Sequence, residues 1–178
     1  MSNRTTLTCW LSLSTLAIAF LAAGCASVRN VDLPVDDPEA RAQIERRLHE
    51  VFVAGERKDF DRLESYHLYG PKFSRFSVPR LSSASVARQD AAATRKIEHD
   101  GLAPLQGLKM RADALKIDVF GPVGIATFTL DSNFDAGGKT VSKKYRTTMV
   151  FVKESGDWKI AHEHLSEIKL AEQGAIQP

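Results

Sequence analysis

The spacing of apolar residues changes twice along the chain, and each change predicts a different element. Ile44, Leu48, Val51 and Phe52 recur at i, i+4, i+7 and i+8, one stripe of a helix. Asp37-Pro38 predicts where it starts, with Asp as N-cap and Pro in the first helical position. Gly55 is a suitable terminator. Asp59 is placed to cap a second, short helix with Phe60 and Leu63 inward, ending at Tyr66-His67-Leu68-Tyr69 before the break Gly70-Pro71. Lys72 to Val78 then reads as a short strand with Phe73 or Phe76 inward. Ser85 is placed to cap a third helix that reaches about Asp100, with Gly101 just after it.

From Leu108 the period falls to two. Leu108, Met110 and Ala112 alternate, then Leu115, Ile117 and Val119 alternate with the opposite parity. The phase break near Asp113-Ala114 predicts a bulge. Gly121-Pro122 is a turn, and Ala126, Phe128, Leu130 and Phe134 mark the next strand. Ala136-Gly137-Gly138-Lys139 is a hairpin loop; Val141 to Lys153 and Trp158 to Ile168 are the last two strands. Three helices followed by four antiparallel strands make an α+β class.

The last strand carries the candidate chemistry. Trp158, Ile160, His162, His164 and Ser166 share one face under strict alternation; Lys159, Ala161, Glu163 and Leu165 share the other. A four-residue loop pairs Lys153 with Trp158 and so sets Met149 opposite His162 and Thr147 opposite His164. Tyr145, Thr147, Met149 and Phe151 then form the inward set beside Trp158. A slip of one would turn Arg146 and Thr148 inward; the first register groups the large apolar side chains.

Gly156-Asp157 followed by W-K-I-A-H-E-H-L-S resembles the terminal strand of the nuclear transport factor 2-like superfamily, closest to SnoaL-like domains and the association domain of calcium/calmodulin-dependent kinase. The resemblance spans about Pro38 to Ile168, and Asp-Phe-x-x-Leu at Asp59 resembles the superfamily's second helix. It implies a cone, in which a strongly curved antiparallel sheet wraps around the N-terminal helices and leaves a small-molecule pocket. It also implies a homodimer, but no single activity, because such folds carry isomerases, cyclases, dehydratases and non-catalytic binders. In that cone Tyr66 and His67 stand near the pocket mouth, where they either line the pocket or simply fill the core with polar tips reaching water.

Composition bounds the rest. The 178 residues suffice for one domain with a core, and 43% hydrophobic with 26% charged residues is ordinary for a globular chain. The net charge of +2, with no basic cluster among aromatics, gives no sign of nucleic-acid binding. Both cysteines, Cys9 and Cys25, fall in the first segment, so the domain beyond offers no disulfide, zinc-thiolate or cysteine nucleophile. Arg4 and the apolar run Trp10 to Ala23 form the n- and h-regions of a signal peptide over residues 1–24. Leu21-Ala22-Ala23-Gly24-Cys25 resembles a bacterial lipobox, which implies a lipoprotein acylated on Cys25. By resemblance to Gram-negative lipoproteins, Ala26 favours the outer membrane, with the domain on the periplasmic face. Residues 25–37 then form a lipidated tether, 38–170 the folded domain and 171–178 a C-terminal tail.

Two classes of function follow. The expected pocket residues are Tyr66, His67, Tyr145, Thr147, Met149, His162 and His164. His162 and His164, at i and i+2, can chelate zinc if His67 supplies a third ligand, but H-x-H on this strand also recurs in family members without metal, and no metal or cofactor is expected. Either histidine can serve as general base in an isomerase, cyclase or hydrolase. The acids of this strand, Glu163 and Glu167, have outward parity, and the facing of Asp113, Asp118 and Asp131 is open. Without an inward acid the reading favours a non-catalytic binder of an unidentified small molecule on a lipid anchor. His49 and His99 sit among charges and are expected at the surface.

Overall fold

A computed structural model describes residues 37–77 and 88–169 of the chain. The expected signal peptide, Cys25, the expected tether as far as residue 36, the expected Ser85 cap and the expected C-terminal tail lie outside the described residues. Helix α1 spans Pro38–Arg57, and Asp37 caps it by accepting the Ala40 N–H. It does not end at Gly55. It runs two residues further and stops on Lys58, whose left-handed backbone (φ 58°) closes the last turn onto the Ala54 and Gly55 carbonyls. Gly55 is instead a point of close approach, since a Cβ there would stand 2.7 Å from Cε of Met110. Helix α2 is Phe60–Ser65, capped by Asp59 as its sequence predicts. Strand β1 is Ser74–Ser77. Helix α3 is Ala91–Leu102, capped by Asp90, so it starts later than a Ser85 cap would place it and takes in Gly101. Arg88, Gln89 and Asp90 are not helical, because Gln89 exchanges two backbone hydrogen bonds with Arg75.

Four long antiparallel strands follow: β2 Gln106–Phe120, β3 Val123–Ala136, β4 Lys139–Glu154 and β5 Asp157–Glu167. The sheet order is β1-β5-β4-β3-β2. β1 adds a fifth strand, parallel to β5, so the sheet is mixed. The α+β class with helices preceding the sheet stands. The expected phase break is present: the β2–β3 register shifts between Asp113 and Lys116, and Ala114 has φ 52°. The last two hairpins turn through Gly137-Gly138 and Ser155-Gly156, all four residues with positive φ, the two-residue geometry that matches strand twist.

One face of the sheet receives the helices. Ile44, Leu48 and Phe52 of α1 join Val119, Ala126, Phe128, Phe151, Trp158 and Ile160 in the core. Trp158 is buried and its indole N–H donates to Gln43 Oε1 at 3.0 Å. Gly124 lets Ile44 approach β3, because a Cβ there would overlap Ile44 Cδ1.

The strict alternation expected of β5 fails at one residue. Lys153 pairs with Trp158, and Phe151 with Ile160, but Val150 pairs with His162, so Ala161 is an extra residue in the ladder. Beyond this bulge the faces exchange. Met149 faces Glu163 and Thr147 faces Leu165, rather than His162 and His164. Glu163 is therefore buried, whereas His162 is half-exposed and His164 exposed.

Candidate functional site

The cavity between helices and sheet has a volume of about 130 Å3. Its apolar wall comes from Val51 and Phe52 of α1, Leu63 of α2, Ile97 and Leu102 of α3, and Met110, Leu130, Met149 and Leu165 of the strands. Tyr145 also lines it. Its polar end is made of Arg75, Ser77, Glu98 and Glu163.

Pairing of β1 with β5 builds that polar end. Arg75 is the parallel partner of Glu163, and the two side chains share the inward face. Arg75 Nη1 donates to Glu98 Oε1 at 2.6 Å. Arg75 Nε lies 3.1 Å from Glu163 Oε2, within ion-pair reach but without hydrogen-bond alignment. Behind Glu163 stands His67, whose Nε2 is 3.3 Å from Glu163 Oε1 and 3.8 Å from Glu98 Oε1. Its Nδ1 is 3.0 Å from the Leu63 carbonyl. Both ring nitrogens thus face acceptors, and both can donate only when the ring is an imidazolium. The ring stacks on Tyr69 with centroids 4.9 Å apart, and Phe73 packs its edge against both.

The charges push the two carboxyl groups apart. Burial raises the Glu98 carboxyl and outweighs the lowering by Arg75 and His67, so Glu98 holds its proton to higher pH than usual. Burial works the same way on Glu163 but loses to Arg75 and His67, which hold it well below the usual carboxylate range. Burial depresses His67, yet the hydrogen bond and charge of Glu163 and the charge of Glu98 raise it overall. Buried acids with opposed shifts are an arrangement suited to acid–base work.

Oxygen and nitrogen atoms of His67, Glu98 and Glu163 lie within 4.8 Å of one another, close enough to hold a metal ion. Arg75 already supplies a cation to both carboxylates, so a divalent ion would have to displace a buried guanidinium. The residues fit an internal ion network better than a metal centre.

The residues expected from sequence fall into three groups. Tyr145 and Met149 line the cavity. Tyr66, His67 and Thr147 are buried but outside its lining: Tyr66 accepts from Arg62 Nε at 2.6 Å, and the Thr147 hydroxyl donates to the Tyr145 carbonyl at 3.3 Å. His162 and His164 stand on the opposite face, with His162 Nδ1 2.9 Å from Ser74 Oγ and both rings near Phe76. His49 and His99 are at the surface. Glu163, expected on the outward face, is buried at the polar end, and the sequence reading does not single out Glu98 or Arg75. Glu98 had a signal, since it sits four residues after Thr94 on the buried stripe of α3. Arg75 had none without knowledge of the parallel pairing.

The SnoaL-like domain family matches residues 44–170. A Streptomyces avermitilis protein described as a putative dehydratase of the NTF2-like family has a similar structure, at TM-score 0.64 and 19% identity over 75% of this chain and 99% of that one. An NTF2-like superfamily protein of Salmonella enterica is similar at TM-score 0.61 and 17% identity, over 74% of this chain and 94% of that one. The CaMKII hub homology domain of Chlamydomonas reinhardtii gives TM-score 0.60 and 16% identity, over 73% and 99%. Among curated proteins none matches significantly. The family match covers most of the folded region and the NTF2-like structures share the fold, so the chain belongs to the SnoaL-like domain family.

Proposed function

We propose that the protein is a lipid-anchored, periplasmic domain that binds a small, largely apolar molecule in the cavity. The observation that carries this is the cavity itself, apolar over most of its wall and closed at one end by Arg75, Glu98 and Glu163. Anchoring rests on the sequence around Cys25, and its outer-membrane placement on Ala26. Self-association as a homodimer is part of the reading; three similar structures are described as a CaMKII hub homology domain, a CaMKII hub and a CaMKII association domain. Native mass spectrometry of the protein purified from its own host tests the binding reading. A co-purified small molecule that a Met149→Trp variant no longer carries is the expected result. A ligand retained equally by both proteins would place binding elsewhere.

A second reading is favoured by the opposed shifts of Glu98 and Glu163. Glu98 can accept or release a proton while Glu163, Arg75 and His67 fix the surrounding charge, so an isomerase or dehydratase is the alternative. The histidine does not act as base in it, because His67 lies outside the cavity lining and both its ring nitrogens are engaged, by the Leu63 carbonyl and by Glu163.

A further inference from the structure

We propose that His162 and His164 form a two-imidazole site for copper(II) on the outer face of the sheet. The site lies across the sheet from the cavity and does not depend on the reading given to the cavity. The β5 bulge turns both side chains to that face. Beyond the bulge the strand is regular. His162, Glu163 and His164 pair in unbroken register with Val150, Met149 and Thr148 on one side and with Ser74, Arg75 and Phe76 on the other. The two histidines are therefore next neighbours on one face of a strand held from both sides, about 6.6 Å apart along it. At that spacing the rings need only lean together to bring one nitrogen each to about 2.0 Å from a shared ion.

Both rings are accessible, His162 half-exposed and His164 exposed. Ser74 Oγ lies 2.9 Å from His162 Nδ1, which leaves Nε2 as the nitrogen without a partner. With Nε2 on a metal, Nδ1 carries the proton and donates to Ser74, the kind of contact that fixes the tautomer of a metal-ligating histidine. Among the described residues His164 has no hydrogen-bond or ion-pair partner. Phe76, on the neighbouring strand, flanks the two rings alike, at 6.2 Å and 64° from His162 and 6.3 Å and 63° from His164. The third ligand that zinc would want, His67, is buried against Glu163 beneath the other face. Nor does a carboxylate stand in the adjoining register: among the described residues the neighbours on this face are Ser74, Phe76, Thr148 and Val150, with Arg146 one step further along β4. The ligand set is two neutral nitrogens completed by water. Such a set suits a tetragonal ion, and copper(II) stands at the top of the affinity order of the divalent first-row metals.

The test is titration of the full-length chain in detergent, at pH 8, with copper(II) carried by iminodiacetate. The carrier occupies part of the coordination shell and leaves room for a pair of imidazoles. Wild type is expected to bind at least about tenfold tighter than His162→Gln or His164→Gln, because the second imidazole binds intramolecularly once the first is in place. Pulsed EPR of the wild-type complex should show the echo modulation of two imidazoles on the ion. Melting curves on each variant keep unfolding out of the comparison, since both rings are on the outer face. Equal affinity in wild type and either single variant overturns the pairing, as does a signal from one imidazole alone. Equal affinity in the double variant His162→Gln, His164→Gln places the copper elsewhere and overturns the site. Ser74→Ala is expected to weaken binding about tenfold, the lower end of what loss of a contact behind a metal ligand costs, and an unchanged affinity refutes the part given to Ser74.

Discussion

Replacing Glu163 by Gln is expected to remove one carboxylate from beneath two cations at nearly constant shape. The side chains involved are hardly solvated: Glu163 is 3% exposed, Arg75 11% and His67 0%. Solvent screening therefore offers little relief, unlike in a surface pair. Removing one partner of a buried pair costs roughly 3–5 kcal/mol. Two features place the variant at the low end, about 3 kcal/mol. Arg75 keeps Glu98 at 2.6 Å, and His67 can give up its proton. With a urea m-value of about 2 kcal/mol/M, the midpoint drops by roughly 1.5 M. The pH dependence adds an independent check. His67 is raised in the folded protein, so its contribution is complete below the unfolded value of about 6.5 and is lost as pH rises through the folded value. Wild type should lose stability from this group as pH rises above about 6.5, and Glu163→Gln should lose much less, because the main attraction raising His67 is gone. The depressed Glu163 acts in the other direction: its contribution is present above the unfolded carboxylate value and is lost as pH falls through its own low folded value. Denaturation curves at pH 6, 7.5 and 9 for both proteins measure this. A loss under about 1 kcal/mol, or parallel pH profiles, would refute the buried network.

Trp158→Ala should cost about 3–5 kcal/mol in a urea titration, as truncation of a buried aromatic does, with the loss of the Gln43 hydrogen bond included. The double variant His162→Gln, His164→Gln should melt within about 1 kcal/mol of wild type and keep its ligand, since both rings stand on the outer face; loss of binding in a folded protein would return them to the site. Cys25→Ala should leave the membrane fraction on cell fractionation, whereas retention in the pellet with the same unprocessed mass in both forms would refute acylation.

Much of the fold was legible because its signals are local. Asp37-Pro38 and Asp59 cap their helices, and the parity break at Asp113-Ala114 is a bulge. Gly55 was read by type, as a terminator, when its actual use is room for Met110. The candidate site was legible in part. Tyr145 and Met149 lie on β4, whose own alternation is unbroken, and both line the cavity. The histidines and Glu163 lie after the β5 bulge, and no pattern of apolar residues marks that bulge because Ala161 suits either face. Arg75 and Glu98 depend on a parallel strand pair and on a helix docking over it, contacts that no local period encodes.

The bulge at Ala161 works as a frame setting for the end of β5. Moving it a few residues toward the C-terminus, with composition and length unchanged, would trade the buried carboxylate for two imidazoles. Deleting Ala161 would do the opposite of what its position suggests. The ladder would close up with Ile160 and Glu163 still inward, so an orthologous strand one residue shorter is expected to conserve the acid. What an alignment would register as a gap is thus neutral for the chemistry, while a gapless alignment can conceal its exchange.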